Sequence, residues 1–362
     1  MKKILCIIDS MGSGGAQRQL AGLASSLVQF NYDVDLAYYT DPMFYGKILS
    51  ENKVRIIKLH SNNRLSKIWN VAKLIRNNKY HTVISYIDGP SVICCILRFC
   101  GMKFKLIVSE RNVTQFITKS ERIKFYAYRY ADAIVPNSYS QNEFIKDHFP
   151  FLSSRTKTIT NFVDTNYFCP SQMVNNEEKF KILVVARINK QKNIPVFLHA
   201  VKILKERNLP VSIEWFGDYD SLNQGELLYN EIIRLKEKLM IGDYISFHKA
   251  TTEIKKEYQS CDLFCLPSLF EGYPNVVCEA MSCGKPIVCS RVCDNPRIVN
   301  EGVNGLLFNP KDATDMANVI ERLIKKPKSE LVEWGKASRK IALDLFSMEV
   351  FGKKYIELIE SI

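Results

Sequence analysis

Ser260-Cys-Asp-Leu-Phe-Cys-Leu-Pro267, followed after three residues by Glu271-Gly-Tyr-Pro-Asn-Val-Val-Cys-Glu279, decides how this chain is read. The first part reads as the end of a helix and then a short buried strand, and Gly272 and Pro274 force the chain to turn. Asn275 stands where a helix cap belongs, ahead of a helix expected to run to Cys283, where Gly284 and Pro286 stop it. The leading amides and the dipole of such a helix start suit a phosphate group. Glu271 then lies in the turn ahead of this anion site, and Glu279 about one turn into the helix. A ligand with a diphosphate in the middle and a sugar at each end fits that arrangement.

Two glutamates at so loose a spacing recur by chance, and alone they read as a solvated turn residue and an exposed helix residue. What lies upstream changes the reading. The apolar strand Phe180-Lys-Ile-Leu-Val-Val-Ala186 ends in Arg187-Ile-Asn-Lys-Gln-Lys192-Asn193, ahead of a helical pattern from Ile194 to Arg207. Arg187 at a strand end and Lys192 just before a helix start are placed to neutralise a diphosphate, Arg through a planar fork and Lys as a point charge.

These stretches resemble the retaining glycosyltransferases of family 4, which have the two-domain GT-B fold and use nucleotide-sugar donors. The motifs are Ala186-Arg187, Lys192-Asn193, Leu266-Pro-Ser-Leu-Phe-Glu271-Gly-Tyr-Pro-Asn275 and Glu279-Ala-Met-Ser-Cys-Gly-Lys-Pro286. Gly14-Gly-Ala-Gln17, Asn161-Phe-Val-Asp164 and Glu301-Gly-Val-Asn-Gly-Leu-Leu-Phe308 extend them over nearly the whole length. The resemblance implies that Arg187 and Lys192 hold the donor diphosphate and that Glu279 binds the nucleotide ribose. It further implies that Glu271 and the segment Gly272, Tyr273, Pro274, Asn275 and Val276 hold the donor sugar. Glu271, Arg187 and Lys192 are thus the expected catalytic groups, and retention of anomeric configuration is implied in the same way. The chain departs from the family pattern at Lys249 and Phe162, where glycine is common, and the first change falls in a loop expected to border the nucleotide base.

Strands and helical stretches alternate along the chain, which predicts two doubly wound Rossmann-like α/β domains, facing across a cleft as in GT-B proteins. The expected boundaries are 1–164 for an acceptor-binding domain, 165–179 for a linker containing Pro170 and the polar run Val174-Asn-Asn-Glu-Glu178, and 180–362 for the nucleotide-sugar domain. The last helix is allowed to pack back on the first domain. Ligands of such sheets sit beyond the carboxyl ends of the strands. In the first domain that rule selects Asp9, Gly14 and Gly15, Asp88, Glu110-Arg111-Asn112 and Asn137-Ser138. Asn137 and Ser138 read as ordinary helix caps. Gly14, Gln17, Asp88, Glu110 and Arg111 are assigned to the acceptor side, and Gly15 to the donor, because a tight glycine turn lets a phosphate approach the backbone. The string Ser109-Glu-Arg-Asn112 resembles one seen on the acceptor side of bacterial surface-polysaccharide transferases of the family.

Other chemistries were weighed on the same residues. Gly12-Ser-Gly-Gly15 after the first strand has part of a dinucleotide fingerprint, but Gln17 replaces the third glycine, so an NAD-dependent oxidoreductase is the weaker reading. Asp218-Tyr-Asp220 mimics a metal-binding Asp-x-Asp, yet follows Gly217 in a strand-to-helix connection and reads as a solvated loop. Glycoside hydrolysis by Glu271 and Glu279 is conceivable, but a helix-borne Glu beside a phosphate site fits ribose better. With Arg187, Lys192 and a helix start to meet the leaving-group charge, neither a metal nor another cofactor is expected.

Composition bounds the rest. With 362 residues and 46% hydrophobic content, the chain can fill two ordinary cores. No run approaches the roughly 20 apolar residues of a spanning helix, and Met-Lys-Lys leads straight into a strand, without the features of a signal peptide. The 11 cysteines lack metal-site spacing and are expected to be buried thiols of a reducing, cytoplasmic compartment. The net charge of +12 is uneven: residues 1–170 carry 23 Lys and Arg against 12 Asp and Glu, and residues 53–79 hold eight basic side chains and no acid. No nucleic-acid module is visible, so this excess is read as meeting anionic lipid or a polyprenyl-diphosphate-linked glycan acceptor. A non-catalytic basic membrane-surface protein is the rival from a different class. The segment with Leu65, Ile68, Trp69, Ala72 and Ile75, interleaved with Lys67, Lys73 and Arg76, is the expected docking helix, the alternative being that Leu65, Ile68, Ala72 and Ile75 pack on the N-terminal sheet while the lysines stay in water.

Overall fold

Among the described residues twelve strands form two six-stranded sheets, and every pairing between neighbouring strands is parallel. The computed structural model describes residues 2–61, 63–171, 178–219 and 225–362. The first sheet contains β1 (Lys3–Met11), β2 (Asp33–Met43), β3 (Arg55–Lys58), β4 (Thr82–Tyr86), β5 (Lys105–Glu110) and β6 (Ala133–Pro136), in the order β3-β2-β1-β4-β5-β6. The second contains β7 (Phe180–Val185), β8 (Val211–Phe216), β9 (Ile245–His248), β10 (Leu263–Leu266), β11 (Ile287–Ser290) and β12 (Gly305–Phe308), in the order β12-β11-β10-β7-β8-β9. The direction of winding reverses between β1 and β4 and again between β7 and β10. Such switch points open the crevices where ligands of α/β sheets bind.

The central strands read as unbroken apolar runs because both of their faces are covered. In β1, Ile4, Cys6 and Ile8 enter one core with Leu20, Leu23 and Leu27 of the helix Gly15–Gln29, while Leu5 and Ile7 enter another with Val71, Ile75 and Cys94. This alternation is the two-residue period of a strand with helices on either side. In the second sheet a single large cluster runs from Ile182 and Phe264 to Trp215 and Leu323.

The chain divides into two compact units, Met1–Phe162 with Met348–Ile362, and Val163–Ser347. The last helix, Met348–Ser361, is part of the first unit, where it buries Phe351, Tyr355, Leu358 and Ile359. It comes close enough to the helix Gly15–Gln29 that a Cβ on Gly352 would fall 2.1 Å from Ser26 Oγ. Thr165–Ser171, the described start of the segment expected as a linker, is held by the second unit. Arg339 Nη1 donates to the carbonyls of Thr165 and Phe168 at 2.9 Å each, Ser282 Oγ donates to Phe168 O at 2.6 Å, and the Phe168 ring is buried. Of the polar run Val174–Glu178, only Glu178 falls within the described residues.

One local expectation changes. The helix Asn275–Ser282 has Pro274, not Asn275, at its cap position; the ring presets the backbone angle and Asn275 is already the first helical residue. Residues 157–160 accompany β6 through Lys157 N to Ile134 O at 2.9 Å and Ile159 N to Pro136 O at 3.2 Å, short of a ladder. Among the described residues no helix is long and apolar enough to cross a membrane.

Candidate active site

The two strand ends flanking the switch of the second sheet carry the residues singled out above. After β7, the carbonyl of Ala186 receives Trp215 Nε1 at 2.8 Å, and Gly217 follows β8 so closely that a Cβ there would stand 2.0 Å from the same carbonyl oxygen. Glycine at 217 therefore lets the two strand ends close up. Arg187, next in line, is exposed and has no ion-pair partner among the described residues. Asn189 then caps a single 3₁₀ turn, Lys190–Lys192, by accepting from Lys192 N at 3.2 Å. Asn193 takes the left-handed conformation with φ 57 and is pinned through Nδ2 to Pro310 O at 2.7 Å.

That turn aims Lys192 across to the loop after β10. Lys192 Nζ lies 2.5 Å from Glu271 Oε1, with both side chains largely buried. Ser268 Oγ donates to the same oxygen at 2.5 Å. The two loops are cross-tied at the backbone, Leu269 N to Gln191 O and Gln191 Nε2 to Phe270 O, both at 2.8 Å. Ser290 Oγ of β11 holds Ser268 O at 2.6 Å. Glu271 is thus a buried carboxylate with two fixed donors, in place of the solvated turn residue that spacing alone would give.

Glu279 is buried too, on the inward side of the helix Asn275–Ser282, where Tyr258 OH donates to Oε2 at 3.0 Å. Gly272, Pro274, Asn275 and Val276 make the turn and the first helical residues between the two glutamates. The Tyr273 ring packs edge-on against Phe346, 5.8 Å between centroids, so this side chain belongs to the core. Ser268, Gln191, Asn189 and Tyr258 were not found from the sequence. Asn189 and Ser268 act within their own loops, on Lys192 and Glu271, whereas Gln191 and Tyr258 reach partners on other elements, Phe270 and Glu279.

At the switch of the first sheet, Gly14 precedes the helix that begins at Gly15, and Gln17 folds back until its Oε1 would touch a Cβ on Gly14 at 2.3 Å. Asp9 of β1 lies against the first turn of the helix Asp88–Phe99, its Oδ2 3.0 Å from where a Gly89 side chain would start. Burial raises the Asp9 carboxyl above its ordinary value, Lys67 opposes this, and Asp88 adds to it. Ile87, just before that helix, has φ 62, an unfavourable angle for a β-branched residue.

Glu110 is fully buried behind this rim. Lys124 Nζ, itself buried, lies 3.1 Å from Glu110 Oε2, 2.7 Å from Glu121 Oε2 and 3.4 Å from Asp88 Oδ1, and Tyr128 OH donates to Glu110 Oε2 at 3.2 Å. Burial lifts the Glu110 carboxyl to about 7 against the pull of Lys124, with Asp88 and Glu121 adding to the rise. Asp88 is the half-buried member of the cluster that reaches solvent. Arg111 is used inside the unit, donating to Asn161 Oδ1 at 3.0 Å, Tyr86 OH at 2.8 Å and Tyr355 OH at 2.6 Å, with its guanidinium over the Tyr86 ring. Ser138 caps the helix Tyr139–His148.

Of the Asp-x-Asp sequence, Asp218 accepts from Ala250 N at 3.1 Å, and Asp220 lies outside the described residues. The described residues contain no group of three or more His, Cys, Asp and Glu arranged to hold a metal. The described cysteines are all free thiols; eight are buried, Cys169 is half-buried, and Cys100 and Cys293 are exposed.

Two family models match successive parts of the chain. Residues 13–167 match the model of Glycosyltransferase Family 4, and residues 170–341 match Glycosyl transferases group 1. A Campylobacter jejuni relative, N-acetylgalactosamine-N,N'-diacetylbacillosaminyl-diphospho-undecaprenol 4-alpha-N-acetylgalactosaminyltransferase, is 24% identical over 98% of this chain and 100% of its own length. The Escherichia coli UDP-Gal:alpha-D-GlcNAc-diphosphoundecaprenol alpha-1,3-galactosyltransferase is 29% identical over 47% of this chain and 45% of its own. Among solved structures, Anabaena HepE in complex with UDP superposes with a TM-score of 0.86 over 100% of both chains at 21% identity. Sucrose-phosphate synthase from Thermosynechococcus elongatus gives 0.83 over 100% of this chain and 99% of that one at 18% identity. At these identities the structures speak for the fold, a GT-B arrangement of two parallel α/β sheets.

Proposed function

This chain belongs to the glycosyltransferases of family 4, its two halves matching the Family 4 and group 1 models, and from that premise we propose that it moves a hexose or N-acetylhexosamine, with retention, from a uridine diphosphate sugar to a polyprenyl-diphosphate-linked glycan. The observation that carries the donor side is the meeting of Lys192 and Glu271 at the switch between β7 and β10, with Arg187, which has no ion-pair partner among the described residues, at the end of β7. Uridine is favoured because HepE was solved with UDP and the E. coli relative is named for a UDP-sugar. The lipid-linked acceptor is favoured by the two relatives named for diphosphoundecaprenol substrates.

In this reading an incoming diphosphate competes with Glu271 for the Lys192 ammonium. Lys192 and Arg187 then meet the charge that grows on the leaving oxygen, together with the start of the helix Asn275–Ser282. Glu271, released from the ion pair but still oriented by Ser268, accepts from a donor-sugar hydroxyl and faces the oxocarbenium-like charge. Glu279, held by Tyr258, accepts from ribose hydroxyls. The acceptor hydroxyl approaches the face that the diphosphate leaves, and a diphosphate oxygen takes its proton. The acceptor would lie against the rim of the first sheet at Asp9, Asp88 and Gly14. No metal or nicotinamide is required, and the protein would work as a peripheral enzyme on the cytoplasmic face of the membrane.

The test is a panel of UDP-sugars with lipid-linked di- and trisaccharide acceptors, in excess chelator, with the product anomer read by NMR. One UDP-sugar should yield an α-linked product at undiminished rate. An inverted product, or strict Mn²⁺ or Mg²⁺ dependence lost together with activity in Asp218→Asn, would refute the mechanism.

A further inference from the structure

The first sheet has a second edge, at the amino ends of its strands, opposite the rim that holds Asp9, Asp88 and Glu110. Ala131 and Asp132, just before β6, line a cavity of about 340 Å³ there with Arg98, Arg129, Tyr130 and Arg155. The guanidinium groups are fixed in advance. Arg98 donates to Phe104 O at 2.5 Å and to Asp132 Oδ1 at 3.2 Å, and Arg155 Nη1 donates to Ala131 O at 3.1 Å and to Arg129 O. Arg129 lies over the stacked rings of Tyr126 and Phe151, 5.2 and 5.4 Å from their centroids, and pairs with no carboxylate among the described residues. Asp132 is the one acid lining the cavity against three arginines. Rigid, weakly hydrated guanidinium forks are the side chains that best take a phosphate.

Large apolar side chains stand exposed around this seat. Phe99, 66% exposed, lies 5.2 Å from the Tyr130 ring, and Tyr126 and Phe151, both open, flank Arg129. A second basic pocket on the same edge, beside Gly101 and Met102 ahead of β5, is lined by Arg76, Lys79 and Lys103. A soluble phosphate would use the arginines alone and leave Phe99 and Phe151 in water. A bilayer surface takes both, because aromatic rings settle at the headgroup level and basic side chains meet lipid phosphate.

We propose that this edge is the membrane-docking face, with the Arg98–Arg129–Arg155 cavity seating the phosphate of an anionic phospholipid. It differs from the helix face expected from the sequence. In the helix Arg64–Asn78, Ile68, Ala72 and Ile75 pack on the sheet and Lys67 turns over the Tyr39 ring at 4.8 Å, while Leu65 and Trp69 stay exposed; its far end, at Arg76, reaches the docking edge. Docking by the amino edge sets the rim with Asp88 a strand's length from the lipid phosphates, roughly 20 Å for a six-residue strand. Taken with the proposed lipid-linked acceptor, on which this step rests, that distance selects a glycan already extended by several sugars over one bearing a single sugar.

Flotation of the full chain with phosphatidylglycerol-containing or pure phosphatidylcholine vesicles tests the docking without donor or acceptor, so its failure is separable from failure of the transferase reading. Wild type should float with the anionic vesicles, and Arg129→Glu/Lys103→Glu should bind them on the order of 10²-fold more weakly. Phe99→Ser/Phe151→Ser should also weaken binding. All these side chains are exposed, and an unchanged circular dichroism spectrum and melting temperature report that the variants are folded. The proposal is overturned if wild type binds neither vesicle, or both equally, or if neither variant changes binding. It is also overturned if 10 mM inorganic phosphate displaces the protein while Phe99→Ser/Phe151→Ser has no effect, which marks a soluble-phosphate site. Light scattering showing a dimer that only Phe99→Ser/Phe151→Ser dissociates, without vesicle binding, would assign the face to a second copy.

Discussion

Lys192→Ala is expected to lower turnover about 10²–10³-fold, the range for removing one group that stabilises charge in the transition state. Two effects add in this substitution. The ammonium that meets the departing diphosphate is gone, and Glu271, a buried carboxylate, keeps Ser268 as its one remaining side-chain donor among those described. The loss should fall on kcat more than on KM, because Arg187 and the helix start still bind the donor while the developing charge goes unmet. Lys192→Arg should recover part of the rate: the charge returns, but a planar fork replaces a point charge in a space that holds Nζ 2.5 Å from Glu271. Single-turnover measurement at saturating donor reads the effect directly. A folded Lys192→Ala protein with near-normal turnover would remove Lys192 from the chemistry.

Lys124→Met should destabilise the first unit by about 3–5 kcal/mol at pH 8, the range for removing one partner of a buried ion pair. At pH 6 the loss should be smaller. In the wild type the Glu110 carboxyl titrates at about 7 instead of 4.5, so the folded chain holds its proton more tightly than the unfolded one. That contribution is complete below about pH 4.5 and disappears as the pH rises through 7. Lys124 stays protonated throughout, its ammonium held up by Glu110, Glu121 and Asp88 against burial. Without that ammonium Glu110 takes a proton more readily still, which relieves the variant at pH 6 and not at pH 8. Denaturant titrations at both pH values read the difference, and adding Glu110→Gln should recover much of the loss at pH 8. Equal losses at the two pH values would show that Glu110 does not titrate in this range.

The ligand edge of the second sheet is legible because its signals are local. A four-residue apolar strand, a turn forced by Gly272 and Pro274, and a short helix ended by Gly284 all lie within about thirty residues. The pairing of Lys192 with Glu271 is another matter: it depends on β10 lying next to β7, a crossover that hydrophobic periodicity does not encode. Tyr258 is hidden for the same reason, since its hydroxyl reaches Glu279 from a separate helix. In the segment from 53 to 79 the basic count is legible, but periodicity does not say which apolar positions packing takes: Ile68, Ala72 and Ile75 go to the core and Lys67 turns over Tyr39, while Leu65 and Trp69 stay exposed. The arginines at 98, 129 and 155 come from the ends of three separate elements, and only the folded sheet brings them to one cavity.

The return of residues Met348–Ile362 to the first unit also bears on how the protein is made. A polypeptide leaves the ribosome from its amino end, and domains ordinarily fold in that order. Here the first unit lacks Phe351, Tyr355, Leu358 and Ile359 until the whole second unit has been synthesised. Val163 N bonds to Phe346 O at 2.7 Å, so the second unit closes on itself with its two ends adjacent. The later half of the message thus yields the earlier finished domain. During translation the nascent first sheet leaves the surface of its helix Gly15–Gln29 that Gly352 will cover open to chaperones. A stalled chain ending at Ser347 should show a protease-resistant second unit beside a first unit that is still cleaved.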